Sequence, residues 1–181
     1  MSYLITCSGS KVTPTAVNPS ALENLSFHNE LGEARANLIN LTNKQLDWNR
    51  TLPAWQLYSG TYSRLYPPVQ HANWLKNGVR IKILSALFGW IEHTDLLPTY
   101  NLKMDDRALV AGNNMLIHKY WFNTNLLGQY VDENDIDLLS VNYRKAITNN
   151  ANPLALLPEN VVFTDRGVQK GIWLNNRLNL L

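Results

Sequence analysis

Residues 81–104 read IKILSALFGWIEHTDLLPTYNLKM. Basic and apolar residues alternate from 79, and the run then turns wholly apolar, which predicts a buried central strand over 79–84. Ser85, Ala86 and Gly89 break that strand, and Trp90, His93, Asp95, Tyr100 and Asn101 follow within a dozen positions. A buried strand that opens directly into small, aromatic and hydrogen-bonding side chains is the arrangement α/β proteins place at the carboxyl edge of a sheet, where ligands bind.

The flanking sequence repeats the theme. Upstream, Tyr3, Leu4, Ile5 and Thr6 form a short β-prone run that passes into Ser8, Gly9, Ser10 and Lys11. Leucines and alanines recur at helical spacing over 20–46, and Ser20 with Glu23 has the form of a capping box. Prolines 53, 67 and 68 bracket AWQLYSGTYSRLY, where a β-prone piece over 55–58 meets Ser59 and Gly60. Downstream, the pattern predicts a helix over 115–130, a strand over 136–141, a helix opening at Asn142, a strand over 161–164 and a basic final helix over 166–180. Strands alternate with helices and no repeat is visible. The expected fold is therefore α/β, a single domain over 1–181 with a mixed or mainly parallel central sheet flanked by helices.

Composition sets outer limits. The chain has 181 residues, 45% of them hydrophobic and 17% charged, which suits one packed core and excludes a disordered chain. The net charge of +2 permits a nucleic-acid partner without requiring one. Cys7 is the sole cysteine, so no intrachain disulfide can form and a multi-thiolate zinc cage is excluded. The four histidines, at 28, 71, 93 and 118, have no metal-ligand spacing, so no metal or other cofactor is expected. No apolar run is long enough to cross a membrane as a helix, and the four-residue apolar run near the start has no basic stretch before it. A cytoplasmic protein is expected.

Three segments hold candidate chemistry. The loop CSGSK at 7–11 offers hydroxyls at Ser8 and Ser10 and the Lys11 ammonium, which suit an anionic oxygen, although the spacing is not that of a P-loop. In YSGTY at 58–62, Tyr58 and Tyr62 could stack on a base around a close turn at Gly60. In the quoted stretch, Ser85 and Gly89 allow close backbone approach, Trp90 and Tyr100 supply aromatic faces, His93 titrates near neutrality, Asp95 could serve as a base, and Asn101 could read a base edge. Arg166 and Lys170, four apart on the final helix, could meet a phosphate backbone. Each segment has a plain structural alternative: a surface turn, core tyrosines, a turn-capping aspartate or a solvated basic face.

The order of these motifs resembles the YaaA peroxide-stress protein family. The matching residues are CSGSK with Lys11, SGTY with Gly60 and Tyr62, then SALFG, TDLLPTYNLKM, IHKYWFNTNLL, LLSVNYRKAI and RGVQKGIWLNNRL. SALFG stands where the family has Ser-Gly-Leu-Tyr-Gly, Asn101 where an arginine is usual, and Lys103 where a glutamate is usual. The resemblance implies a DNA-associated α/β protein linked to oxidative stress, with relatives that accompany 7-deazaguanine enzymes. A more distant similarity in layout is to uracil-DNA-glycosylase-like folds.

The resulting expectation is an enzyme acting on a nucleobase in DNA, an N-glycosylase that excises a modified base in repair or phage defence. Asp95 and Lys11 are the candidate catalytic residues. Tyr58, Gly60, Tyr62, Ser85, Gly89, Trp90, His93, Tyr100 and Asn101 are candidates for the base site, and Ser8, Ser10, Arg166 and Lys170 for phosphate. The alternatives are a non-enzymatic DNA-binding protein of the peroxide response and an enzyme on free nucleotides or 7-deazapurine bases.

Overall fold

Apolar segments spaced along the whole chain can be buried together only if distant strands pair. In the computed structural model, which describes residues 1–158 and 167–181, they do so in one four-stranded sheet. The elements in chain order are β1 (Tyr3–Thr6), α1 (His28–Leu41), β2 (Leu52–Pro53), α2 (Ala54–Leu57), α3 (His71–Trp74), β3 (Ile81–Ser85), β4 (Gly89–Glu92) and β5 (Leu96–Leu97). After them come β6 (Arg107–Val110), β7 (Asn113–Leu116), α4 (Ile117–Thr124), β8 (Ile136–Asp137), α5 (Val141–Thr148) and α6 (Val168–Asn179).

The sheet order is β4-β3-β1-β8. β1 lies between β3 and β8 and runs parallel to both, with Tyr3 opposite Ile81 and Ile136. β4 returns antiparallel to β3 through a tight hairpin, with Ser85 opposite Gly89. The sheet is mixed and mainly parallel and the fold is α/β, as the sequence pattern predicts. Leu4, Ile5, Ile83, Leu84 and Ile91 are fully buried, as expected for strands covered on both faces. Two small ribbons, β2 with β5 and β6 with β7, stand apart from the main sheet.

β8 has only two residues, so side chains hold it in place. Asp135 accepts from the Ser2 amide at 2.6 Å and the Lys82 ammonium at 3.0 Å, tying the strand to β1 and β3. Asp137 accepts from the Leu139 amide, the Leu154 amide and Arg144 Nε at 2.8–3.0 Å. Both carboxylates are 1% exposed, and each satisfies several donors, which is the condition for burying a charge. The Asp137–Leu139 contact turns the chain out of the sheet, so the strand ends before 141.

Several expected boundaries move. The one or two helices expected over 20–46 are a 3₁₀ turn at Leu22–Asn24 and α1, divided where Phe27 takes a left-handed backbone with φ 62°. The Ser20–Glu23 capping box does not form, since Ala21 occupies the capping position without a side-chain bond. Residues 54–57 make a helical turn where a β-prone piece was expected, because the Ala54 and Trp55 amides are spent on the carbonyls of Asp95 and His93. The helix expected over 115–130 begins at Ile117, since Met115 and Leu116 belong to β7, and it stops at left-handed Asn125. The strand expected over 161–164 lies outside the described residues. Among the described residues, no helix is long and apolar enough to cross a membrane.

Candidate functional site

β1 and β3 end side by side, since the Cys7 amide donates to Leu84 O at 3.1 Å. Both polar stretches therefore start from the same sheet edge. Gly60 lets the 58–62 loop join them. A side chain there would come within 2.6 Å of the Lys11 nitrogen and 2.7 Å of the Ser10 carbonyl carbon, so only glycine permits this approach. Ser10 Oγ accepts from the Tyr62 amide at 3.0 Å, the Val12 amide donates to Leu57 O at 2.8 Å, and the two loops form one unit.

Under that unit lies a buried polar cluster. Ser85 Oγ accepts from the Leu87 and Phe88 amides at 3.2 and 3.1 Å. Ser85 Oγ and Tyr100 Oη lie 2.7 Å apart and Tyr100 Oη and Tyr58 Oη 2.6 Å apart, so the three hydroxyls form one hydrogen-bonded group. Burial pushes the Tyr58 and Tyr100 hydroxyls well above the usual tyrosine range, so both remain neutral donors. Cys7 Sγ and Tyr143 Oη lie 3.1 Å apart, and Tyr66 Oη donates to Thr6 O at 2.7 Å.

Lys11 crosses this cluster. Its ammonium lies 4.1 Å from the Tyr100 ring centre and 5.6 Å from that of Tyr58, in cation–π contact. The Nζ atom is buried and has no hydrogen-bond partner among the described residues. Burial lowers its pKa from the ordinary lysine value, Cys7 opposes the shift, and Lys44 and Lys103 add to it. A buried cation with no acceptor costs stability, and it suits a site that an incoming acceptor completes.

The structure brings Lys11, Tyr58, Gly60, Ser85 and Tyr100 together, with Ser8 and Ser10 in the loop above. Ser8 Oγ accepts from the Ser10 amide at 3.2 Å, and Tyr62 stands 86% exposed at the rim. Asn101 is exposed beside Tyr100.

Other candidates are engaged elsewhere. The Asp95 carboxylate accepts from the Ser26 amide and hydroxyl and from the Glu92 amide at 2.8–3.1 Å, so it pins a turn to the start of α1. Its pKa is raised by burial, with the Ser26 bonds opposing. Trp90 is fully buried and donates its indole N–H to Leu127 O at 3.0 Å. His93 Nε2 meets Trp74 O at 2.9 Å in the core. Gly89 has φ 64° at the β3–β4 hairpin, and a side chain there would press on the Trp121 ring at 3.1 Å, so its smallness serves the fold. Lys170 donates to Leu138 O and Leu139 O at 2.8 and 3.0 Å, docking α6 on the end of β8. Arg166 lies outside the described residues.

Sequence reasoning missed Cys7 and Tyr143 as members of the cluster, and Arg35 as its support. Arg35 is fully buried in α1 and donates to the carbonyls of Ser26, Phe88 and Trp90 at 2.7 Å each. It thereby ties the turn and the β4 arm of the hairpin that presents Ser85 to the segment entering α1. Its signal was a lone arginine among the leucines and alanines of an amphipathic helix. Two grooves lie elsewhere, of about 550 Å³ beside α1 and α4 and about 510 Å³ beside α6. The Lys11 cluster is set apart from them by a buried ammonium with no acceptor among the described residues. Among the described residues, no three His, Cys, Asp or Glu side chains gather as metal ligands would.

A mixed α/β sheet with a lysine–tyrosine cluster at its carboxyl edge defines the class. The family model for peroxide stress protein YaaA matches residues 13–172, and the chain belongs to that family. The match takes in Tyr58, Ser85, Tyr100 and Tyr143 and begins just after Lys11. No curated protein matches the chain.

Proposed function

We propose that this peroxide-stress family member is a DNA-directed N-glycosylase in which Lys11 and Tyr58 receive the departing base. The observation that supports this reading best is the buried Lys11 ammonium, which has no acceptor among the described residues and lies against the Tyr100 and Tyr58 rings. A base leaving C1′ takes the electron pair of the glycosidic bond and gathers negative charge on its ring nitrogen or carbonyl oxygen. A pre-aimed ammonium beside neutral tyrosine hydroxyls in a buried cluster stabilises that charge as it develops. Water then supplies hydroxide to C1′ and a proton to the base, so no further reactant is needed. Asp95 is left out of the chemistry, because its oxygens are occupied at the Ser26 turn.

The test is incubation of the purified protein with unmodified and hypermodified DNA, single- and double-stranded, followed by detection of abasic sites. Base release from a modified substrate that disappears in Lys11→Met is the expected result. DNA binding with no abasic sites in any substrate would overturn the reading in favour of a non-enzymatic DNA-binding protein. That second reading is favoured by one specific observation, the exposed Tyr62 ring at the rim.

A further inference from the structure

We propose that Lys103 is a phosphate clamp over Gly9 that holds the phosphodiester of an unpaired nucleotide whose base stacks on Tyr62. The proposal rests on the DNA reading above and gives that site its substrate class, a nucleotide in single-stranded or extruded form. Neither Lys44 nor Lys103 enters the base chemistry.

The geometry begins at Gly9. Lys103 Cε lies 3.6 Å from the point where a Gly9 side chain would start, so the lysine stem runs across the exposed face of the CSGSK loop. The Lys103 amide donates to Asp106 Oδ2 at 2.7 Å, which anchors the backbone from which the side chain departs. Lys103 and Gly9 are both exposed, and Lys11 lies two residues further along the same loop.

The charges felt at Lys11 include Lys44 and Lys103, and no carboxylate is among them. The Asp106 carboxylate accepts from the Lys103 amide at 2.7 Å. Three ammonium groups from three separate segments therefore share one field, which an anion above Gly9 would relieve. Tyr62 supplies the other half of the site. Its ring is 86% exposed while its amide is fixed to Ser10 Oγ at 3.0 Å, so it is a solvent-facing platform anchored to the loop under the clamp. An aromatic platform beside unneutralised lysines is how proteins grip unpaired nucleic acid irrespective of sequence. A phosphate held by Lys103 above Gly9 would leave its base over Tyr62, with the Lys11 cluster below.

The experiment measures binding of a fluorescent single-stranded oligonucleotide across a salt series, with pyrophosphate as a small competitor, for wild type, Lys103→Met, Lys103→Glu and Tyr62→Ala. Loss of one phosphate contact should reduce the slope of log affinity against log salt by about 0.7 in Lys103→Met. Lys103→Glu should weaken binding further and abolish pyrophosphate competition. Tyr62→Ala should weaken oligonucleotide binding roughly tenfold with the slope unchanged, since stacking releases no counterions. A slope identical in wild type and both Lys103 variants overturns the clamp and leaves the glycosylase reading standing. A reduced slope in a protein that makes no abasic sites supports the clamp and removes the glycosylase. Failure of the wild type to bind the oligonucleotide at low salt overturns both.

Discussion

Replacing Gly60 by alanine should separate the two loops that build the Lys11 cluster. The new methyl would lie 2.6 Å from the Lys11 nitrogen and from Ser10 Oγ, and 2.7 Å from the Ser10 carbonyl carbon. Ordinary contact begins at 3.4 Å, so the loops must part by about 0.8 Å. Two of the three obstructing atoms are backbone, and a rotamer change cannot remove them. A movement of that size would stretch the Val12–Leu57 bond from 2.8 Å and the Tyr62–Ser10 bond from 3.0 Å past useful hydrogen-bond length. Two neutral hydrogen bonds at ~1 kcal/mol each put the cost near 2 kcal/mol, within the range for overpacking. In a chain of this length that lowers the melting temperature by about 4–8 °C. Thermal unfolding followed by circular dichroism measures it, and oligonucleotide binding should weaken in the same variant because Tyr62 moves with its loop. Gly128→Ala is the control. A side chain there would meet only Ile147 Cγ2 at 4.0 Å, so it should melt at or slightly above wild type. If Gly60→Ala melted within a degree of that control, the loops would not be in the contact described and the cluster would lose its scaffold.

Other perturbations follow from the same geometry. Arg35→Leu leaves three buried carbonyls without donors and should cost about 4 kcal/mol in urea unfolding, and a loss under ~1 kcal/mol would refute its clamping of the hairpin. Lys11→Met removes a buried ammonium without a partner, so stability should hold or rise by ~1 kcal/mol while base release is lost; strong destabilisation would show that the ammonium serves the fold. His93 is depressed, chiefly by burial, and His118 is depressed with the same sign. Each binds its proton less readily folded than unfolded, so the stability it confers is complete above the unfolded value of about 6.5 and is lost as pH falls through it. His93→Gln, measured by urea unfolding from pH 7.5 downward, should flatten that loss above the carboxylate range. An unchanged slope would remove His93 as its source.

Where local pattern and long-range packing agree, the fold was legible. β1 and β3 lie close to their expected places because each is a short apolar run ended by polar or turn residues, and α5 and α6 because their apolar residues recur at helical spacing. The β6–β7 hairpin was missed because its two-residue turn is Ala111-Gly112, with φ 49° and 80°, and alanine is an uncommon occupant of that backbone. β4 was hidden because Trp90 and Ile91 were read as part of a ligand loop, when they are the antiparallel return of β3. At the site, Lys11, Tyr58, Gly60, Ser85 and Tyr100 could be picked out because small residues beside hydroxyls at a strand end are unusual. Asp95, Trp90 and His93 could not be sorted from them by sequence. Whether a polar side chain faces the cluster or spends itself on Ser26, Leu127 or Trp74 depends on partners 19 to 69 residues away.

The position of β1 in the sheet also bears on how the chain reaches this state. Tyr3 pairs with Ile81 on one side and Ile136 on the other, so the earliest strand to be made is flanked by partners that emerge much later. The antiparallel β3–β4 hairpin can form locally, but the sheet cannot close around β1 until the segment carrying Asp135 and Asp137 has been synthesised. Such a topology places the slow step late and keeps Leu4 and Ile5 open to water or to other chains until then. Cys7 shares that delay, so its thiol is most open to oxidants during synthesis, before Tyr143 and the closed sheet cover it.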